Sequence, residues 1–199
     1  MIMKLSNKFS LAALTVASVL LAACQAPSSV LTFAPHAPNT TLNVSNQNAV
    51  VAVVTKDERS QKQVSSYVRD GALFPLTASP EVDTIFQQVM QQNLNSKGFR
   101  LGSANAANTH MLVSVKDFYA KVEEGNLRHK INSKIQLQIH VQGVKGNFTK
   151  SIGTTRTDEG AFTVSNEDIQ KALDAALKDV VNGIYADQDI GNAIRQYSN

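Results

Sequence analysis

The sequence predicts an α+β domain in which an antiparallel sheet, a meander, carries two amphipathic helices packed on one face. Three observations support this fold class. Apolar and polar residues alternate from Leu127 to Gln142, which is typical of a long strand with one buried and one wet face. Two other segments repeat apolar residues at spacings of three and four, as amphipathic helices do. Short turn-like segments between the later strands favour antiparallel neighbours.

The first half of the domain is predicted as two strands and a helix. The β-branched run Ala49–Thr55 is typical of a strand covered on both faces, and Val64–Arg69 is predicted as a second strand. Ser79 and Pro80 suit the N-cap and the first position of a helix, which Gly98 is expected to end. The apolar stripe of this helix comprises Val82, Ile85, Phe86, Val89 and Met90.

The second half is predicted as four strands and a second long helix. Strands are expected at Phe99–Leu101, around Met111 to Val115, at Leu127–Gln142 and at Phe148–Thr157. The third of these would extend about 50 Å at ~3.3 Å per residue, so a bend or bulge is expected in it.

Ser165 begins the last long helix, with Asp168 three positions on as a variant capping box. Ile190 and Ile194 indicate a further helical turn or two after this helix. The apolar stripe of the long helix comprises Ile169, Ala172, Leu173, Ala176, Leu177, Val180, Val181 and Ile184.

Two segments precede this domain of residues 48–199. Residues 1–23 have the form of a secretory signal, with a basic start and an apolar run too short and wrongly flanked for a transmembrane helix. Residues 24–47 are rich in Pro, Ser, Thr and Asn and are interpreted as a tether, which as a flexible coil would reach about 25 Å. Val30 to Phe33 within it could add to the sheet as an edge strand.

Cys24 is the only cysteine in the 199 residues. Leu21-Ala22-Ala23-Cys24 resembles the lipobox of bacterial lipoproteins, in which the thiol receives a diacylglycerol, the signal is cut before the cysteine, and the new amine is acylated, with palmitate as one such chain. The alternative is a buried free thiol, which is common in folded cores. The signal-like surroundings favour lipidation, and no cofactor beyond this covalent lipid is predicted.

Gln25 follows the lipobox cysteine. In the lipoprotein sorting of Gram-negative bacteria, an aspartate at this position favours retention in the inner membrane. Because Gln25 is not an aspartate, we expect the anchor in the outer membrane, on its periplasmic face, rather than in the inner membrane.

Charge argues against a nucleic-acid partner. Without Lys4 and Lys8, which precede Cys24, seventeen basic and sixteen acidic residues remain, so the mature chain is nearly neutral. A dense Lys/Arg patch, which phosphate backbones require, is missing from the sequence.

Catalytic and metal-binding signatures are also missing, and no catalytic or metal-ligating residue is predicted. The sequence contains no P-loop, no G-x-S-x-G and no H-E-x-x-H motif. None of the four histidines has a second histidine or a cysteine at a metal-ligand spacing. His129 shares the phase of the apolar residues and is interpreted as a partly buried histidine. Glu123 and Glu124 fall in a predicted turn, where acids are usually solvated.

The wet face of the long strand is the candidate binding surface. One interpretation is an ordinary solvated sheet face, and the other is a docking surface for an anionic or glycan-like component of the envelope. The candidate residues are Arg128, Lys130, Lys134, Gln136, Gln138 and His140.

Two long segments resemble the YajG-type family of bacterial lipoproteins, namely FYAKVEEGNLRHKINSKIQLQI from Phe118 to Ile139 and DEGAFTVSNEDIQKALDAALKDVV from Asp158 to Val181. The lipobox and the valine-rich first strand also fit. The resemblance covers nearly the whole mature chain and implies an outer-membrane or cell-envelope lipoprotein. It transfers no catalytic or binding residue, and only Cys24 as a modified position.

The expectation is therefore a non-enzymatic outer-membrane lipoprotein with a periplasm-facing domain that binds or assembles envelope components. Its expected partners are the membrane, through the lipid anchor, and an envelope protein or peptidoglycan. The alternative is an envelope-associated hydrolase whose site is scattered in sequence. That alternative requires a deep pocket in which acids and histidines, such as Glu123 and His129, converge.

Overall fold

The computed structural model describes residues 28–35, 38 and 46–198. The predicted signal at 1–23, Cys24, Gln25 and much of the predicted tether lie outside these residues. The described strands are β1 (Val30–Thr32), β2 (Val50–Asp57), β3 (Ser65–Arg69), β4 (Ala72–Ser79), β5 (Arg100–Leu101), β6 (Thr109–Glu124), β7 (Arg128–Gly143) and β8 (Gly146–Ala161). The described helices are α1 (Val82–Ser96), α2 (Asn166–Ala186) and α3 (Asp189–Tyr197).

β6 is the central strand of one mixed sheet that contains these eight strands. On one side, β7 pairs antiparallel with β6 along its length, and β8 pairs antiparallel with β7. On the other side, β2 pairs in parallel with the first half of β6, and β3 pairs in parallel with a short part of its second half. β5 extends the sheet beyond β2, while β4 and then β1 extend it beyond β3.

The predicted antiparallel meander with two helices is wrong as a fold class. Four of the seven strand pairings are parallel, namely β1–β4, β2–β5, β2–β6 and β3–β6. A parallel pair requires a long connection, and β3, β4, α1 and β5 all lie between β2 and β6 in the chain. Among the described elements, only β6, β7 and β8 are three successive antiparallel strands, and α3 is a third helix.

The start of the first helix also differs from its prediction. Ser79 ends β4 instead of capping α1, and Glu81 precedes the first helical residue, Val82, without a side-chain cap bond. β4 was not predicted, because its apolar residues do not alternate with polar ones and Pro75 lies within it. Pro75 is accommodated because β1 pairs with β4 only from Thr77 onward, so β4 has an open side at Pro75.

Other local predictions are confirmed. Ser165 caps α2 and forms the capping box with Asp168, and its hydrogen bond lowers the pKa of the Asp168 carboxyl. Gly98 follows α1 with a φ of 83°. The bulge predicted for the strand now called β7 was placed wrongly, because the register irregularity of the long strands lies in β6, between Val115 and Asp117.

One hydrophobic core lies between the sheet and the helices. β7 contributes its inward residues Ile131, Ile135, Leu137, Ile139 and Val141. Phe118 of β6 lies at the centre of an aromatic group, with ring centroids 5.3 Å from Phe33 and 6.2 Å from Phe86. Since Phe33 is only 2% exposed, the chain directly after β1 is part of this core.

Candidate functional site

The first described residue, Ser28, lies four positions after the predicted lipidation site, Cys24. Directly after Ser28, the chain pairs with the sheet and packs against the domain. Thr32 of β1 pairs with Ser79 at the edge of the sheet, and Phe33 enters the core. The chain that leads to the predicted anchor is therefore attached to the folded domain.

Helix α2 closes the free edge of β1 with side-chain amides. The Thr32 N–H donates to Gln170 Oε1 at 3.0 Å, and Gln170 Nε2 donates to the Thr32 carbonyl at 3.0 Å. Asn166 Nδ2 donates to the Ser28 carbonyl at 2.7 Å. These amides supply the partners that a neighbouring strand would otherwise offer. We call this set of bonds, made by Gln170 and Asn166, the amide clamp.

The six candidate residues of the wet face lie together on the outer face of β7. Arg128, Lys134 and Gln138 are exposed, and Lys130, Gln136 and His140 are half-buried. Their neighbours on β6 and β8 are mostly polar, and His140 Nδ1 lies 2.9 Å from Thr149 Oγ1. The structure thus brings these residues to one surface, which we call the outer sheet face.

Acidic neighbours balance the basic residues of the outer sheet face. Lys134 Nζ lies 3.0 Å from an Asp117 carboxylate oxygen, and Lys130 pairs in register with Glu123 and Glu159 on the adjacent strands. A hydrogen bond from Lys121 lowers the pKa of Glu123. This face therefore presents paired charges and amides rather than the net positive charge that an anionic polymer requires.

A groove of about 530 Å³, which sequence reasoning missed, lies between α2 and the chain after β1. Leu177 and Val181 provide buried apolar surface, while Asp174 and Lys178 are exposed. The groove is lined by Thr32, Ala34, Pro35, Pro38, Asp174, Leu177, Lys178, Val181 and Asn182. No short-range pattern could have revealed it, because its two walls are well over 100 positions apart in sequence.

A hydrolase site would require Glu123 and His129 to converge in a deep pocket, and they do not. His129 is buried, and its Nδ1 lies 3.0 Å from the Phe162 carbonyl. Glu123 is exposed and binds Lys121 at 2.8 Å. Within residues 28–35, 38 and 46–198, no three His, Cys, Asp or Glu side chains form a group that could hold a metal ion. The same residues contain no helix with the length and apolarity needed to cross a bilayer.

Comparisons with known proteins show that this chain is a member of a lipoprotein family. Residues 35–195 match the model of a family described as "Uncharacterized lipoprotein", and the chain belongs to this lipoprotein family. The chain is 28% identical over 182 residues to "Uncharacterized lipoprotein YajG" of Escherichia coli K12, covering 91% of this chain and 94% of that protein. The resemblance to the YajG-type family is thereby confirmed.

A solved structure supports the fold alone. The crystal structure of protein XCC0632 from Xanthomonas campestris superposes with a TM-score of 0.53 at 12% identity, covering 85% of this chain and 99% of that one. The putative neuraminyllactose-binding hemagglutinin homolog from Helicobacter pylori superposes less well, with a TM-score of 0.48 at 12% identity over 83% of this chain and 96% of that one.

Proposed function

We propose that this protein is an outer-membrane lipoprotein, anchored by a diacylglycerol on Cys24, whose periplasmic domain has a non-enzymatic binding or assembly role in the cell envelope. The observation that carries the proposal is the lipobox-like Leu21-Ala22-Ala23-Cys24 in a member of a lipoprotein family, with the first described residue, Ser28, four positions after that cysteine. Each buried lipid methylene contributes about 0.8 kcal/mol, and one chain alone anchors only marginally. A diacylglycerol with a further acyl chain on the amine makes the attachment effectively permanent.

Replacing the anchoring thiol tests the lipid attachment. The Cys24→Ser variant is expected to leave the membrane fraction, or to stay as an uncleaved precursor, because no thioether can form. Mass spectrometry of the purified wild type should find a lipid-modified Cys24 as the first residue. An unmodified N-terminal peptide from membrane-bound wild type would refute the anchor.

Changing the residue after the cysteine tests the choice of membrane. We expect Gln25→Asp to move the protein toward the inner membrane in a density-gradient separation, whereas Gln25→Asn should behave as wild type. An unchanged distribution of the aspartate variant would argue against sorting through this position.

We place the binding role on the outer sheet face. Support comes from its exposed amide and charged side chains, which lie on the side of the sheet away from α2. Because its charges are paired, recognition would depend on hydrogen bonding, which suits a polar envelope protein or a peptidoglycan strand.

Site-specific photocrosslinking in intact cells tests this surface. A crosslinking residue at Gln138 or Lys134 should capture one reproducible partner or peptidoglycan fragments. The matched control is Lys171, which is also exposed but lies on α2, on the other side of the sheet. Capture of the same material from both surfaces, or of none from the outer sheet face, would overturn this assignment.

A further inference from the structure

Exposed apolar side chains concentrate at one end of the described molecule. Eight large apolar residues are exposed among the described positions: Val30, Val54, Val68, Leu73, Phe74, Leu127, Val144 and Phe162. Five of them flank three connections, namely the β3–β4 turn, the β6–β7 turn and the β8–α2 loop. Val30 begins β1.

The strand directions place these connections at the same end. β3 and β6 run in parallel toward it, β4 and β7 leave it, and β8 returns to it before α2 begins. We call this the anchor end and define it by the β3–β4 turn, the β6–β7 turn, the β8–α2 loop and Ser28. Val144 lies at the opposite end, in the turn between β7 and β8.

Leu127 and Phe162 form the most exposed apolar pair at the anchor end. They are 72% and 70% exposed, and the Phe162 N–H donates to the Leu127 carbonyl at 2.9 Å. Phe162 has a φ of 62°, a left-handed conformation that is rare for an aromatic residue. The fold thus holds a large ring outward without burying it, and such local strain tends to occur where a residue contacts a partner.

A second exposed apolar pair belongs to the β3–β4 hairpin. Val68 and Leu73 lie opposite each other on adjacent strands and are 54% and 63% exposed. Neighbouring exposed apolar residues on a monomer mark sites of contact with a protein or a membrane.

The short connection between Cys24 and Ser28 favours the membrane as the surface that the anchor end contacts. Asn166, at the start of α2, holds the Ser28 carbonyl, so the chain from Cys24 arrives at the anchor end. Four positions extend at most about 14 Å, which keeps this end close to any bilayer that holds the lipid. We infer that the anchor end docks on the lipid surface itself, with Leu127, Phe162, Val68 and Leu73 entering the interfacial layer. This inference rests on the proposed lipidation of Cys24.

Charges at the anchor end favour apolar contact over attraction to anionic headgroups. Arg69 at the end of β3 is followed by Asp70, and Arg128 at the start of β7 lies across the β6–β7 turn from Glu124 at the end of β6. Docking should therefore depend little on the fraction of anionic lipid, unlike binding through a polybasic patch.

Single tryptophans can test the docking, because the sequence contains none. Mature lipidated Phe162→Trp and Val144→Trp proteins, which begin at Cys24, would be placed in phosphatidylethanolamine–phosphatidylglycerol vesicles with brominated acyl chains. The indole of Phe162→Trp should emit at shorter wavelength and be quenched severalfold more strongly than the indole of Val144→Trp, which is the matched exposed control at the opposite end. Leu127→Trp provides a second probe if Phe162→Trp does not fold.

The outcomes separate docking from anchoring. Vesicle flotation and mass spectrometry report the lipid anchor independently of the tryptophan signal. Flotation with equal, weak quenching at both positions would overturn the docking and leave the anchor intact. Failure to float would refute the anchor and the docking together. A blue-shifted Phe162→Trp protein that bromolipid does not quench, and whose emission changes with protein density on the vesicle, would mean that a second copy covers this end and that the docking is wrong.

Discussion

Asp57 and Arg59 form the best-buried ion pair among the described residues, and they hold the loop between β2 and β3. Their side chains are 5% and 6% exposed. Arg59 donates to both carboxylate oxygens of Asp57 at 2.9 Å and to the Phe118 carbonyl at 3.0 Å. The bidentate geometry connects this loop to β6 next to its register irregularity.

The same pair predicts a loss of stability in acid. Burial alone would raise the pKa of Asp57, but hydrogen bonds from Arg59 and Lys62 outweigh it and hold the pKa at about 2, below the ordinary 3.8. Because the folded pKa is the lower one, the ionised carboxylate contributes stability that is fully present above about pH 4 and is lost as the pH falls toward about 2. The contribution corresponds to about 2 kcal/mol in the free energy of unfolding.

Urea unfolding between about pH 5 and about pH 2 measures this contribution in the wild type and in Asp57→Asn. The variant should be about 3 kcal/mol less stable near neutral pH, because Arg59 loses its partner, and its acid dependence should be shallower. Glu123→Gln, which removes an exposed carboxylate, is the control and should unfold as wild type does. An equally steep acid loss in Asp57→Asn would contradict the assignment.

At the level of elements, Gly183 is a weak point of α2. It lies inside the helix, where glycine costs about 0.5–1 kcal/mol relative to alanine. An added methyl group would lie 3.6 Å from Ile152, an ordinary contact. We expect Gly183→Ala to raise the free energy of unfolding by about 0.5–1 kcal/mol in urea titration.

Gly160→Ala is the matched control for the alanine substitution in α2. A methyl group at Gly160 would clash with the imidazole ring of the buried His129, so this variant should lose about 1–3 kcal/mol. A destabilised Gly183→Ala would show that the contact with Ile152 is tighter than an ordinary one.

The amide clamp predicts a local effect at β1. Gln170→Ala removes both partners of Thr32, so we expect faster amide hydrogen exchange at Thr32 and a loss of about 1 kcal/mol or more in global stability. Gln170→Glu keeps the acceptor but not the donor, so its exchange rate at Thr32 and its stability should lie between those of the wild type and of Gln170→Ala. Lys171→Ala, one position on, is the control, because Lys171 pairs with Glu167 on its own helix. Unchanged exchange at Thr32 in Gln170→Ala would contradict the clamp.

Local signals in the sequence predicted individual elements better than their pairing. The alternation in β7 and the Ser165 capping box depend on residues a few positions apart, so the sequence displays them directly. The parallel pairing of β2 with β6 joins Val51 to Thr109, and it depends on the intervening α1 packing back on the sheet. No periodicity within either strand encodes that choice.

At the scale of the whole molecule, the sequence predicts where a lipid would be attached, but it does not predict how the domain is oriented relative to that position. Cys24 stands out because its signal is contiguous. Leu127 and Phe162 are 35 positions apart and meet only because β7 and β8 pair along sixteen residues each. Thr32 and Gln170 are separated by 138 positions, so the bond between β1 and α2 could only follow from the tertiary structure.

The length of chain between lipid and domain should control how the whole molecule sits on the membrane. With the proposed lipid on Cys24, the four positions from Cys24 to Ser28 would give the anchor end a high local concentration of lipid surface. Inserting about ten Gly/Ser residues between Ala26 and Pro27 would let the domain move away by roughly 20 Å, and effective concentration falls about as the −3/2 power of linker length. In the Phe162→Trp background we therefore expect bromolipid quenching to fall severalfold while flotation stays complete. Equal quenching with and without the insert would contradict this prediction, because the anchor end would then bind lipid without help from its short connection. In that case, adding Leu127→Ser to the insert variant should lower the quenching.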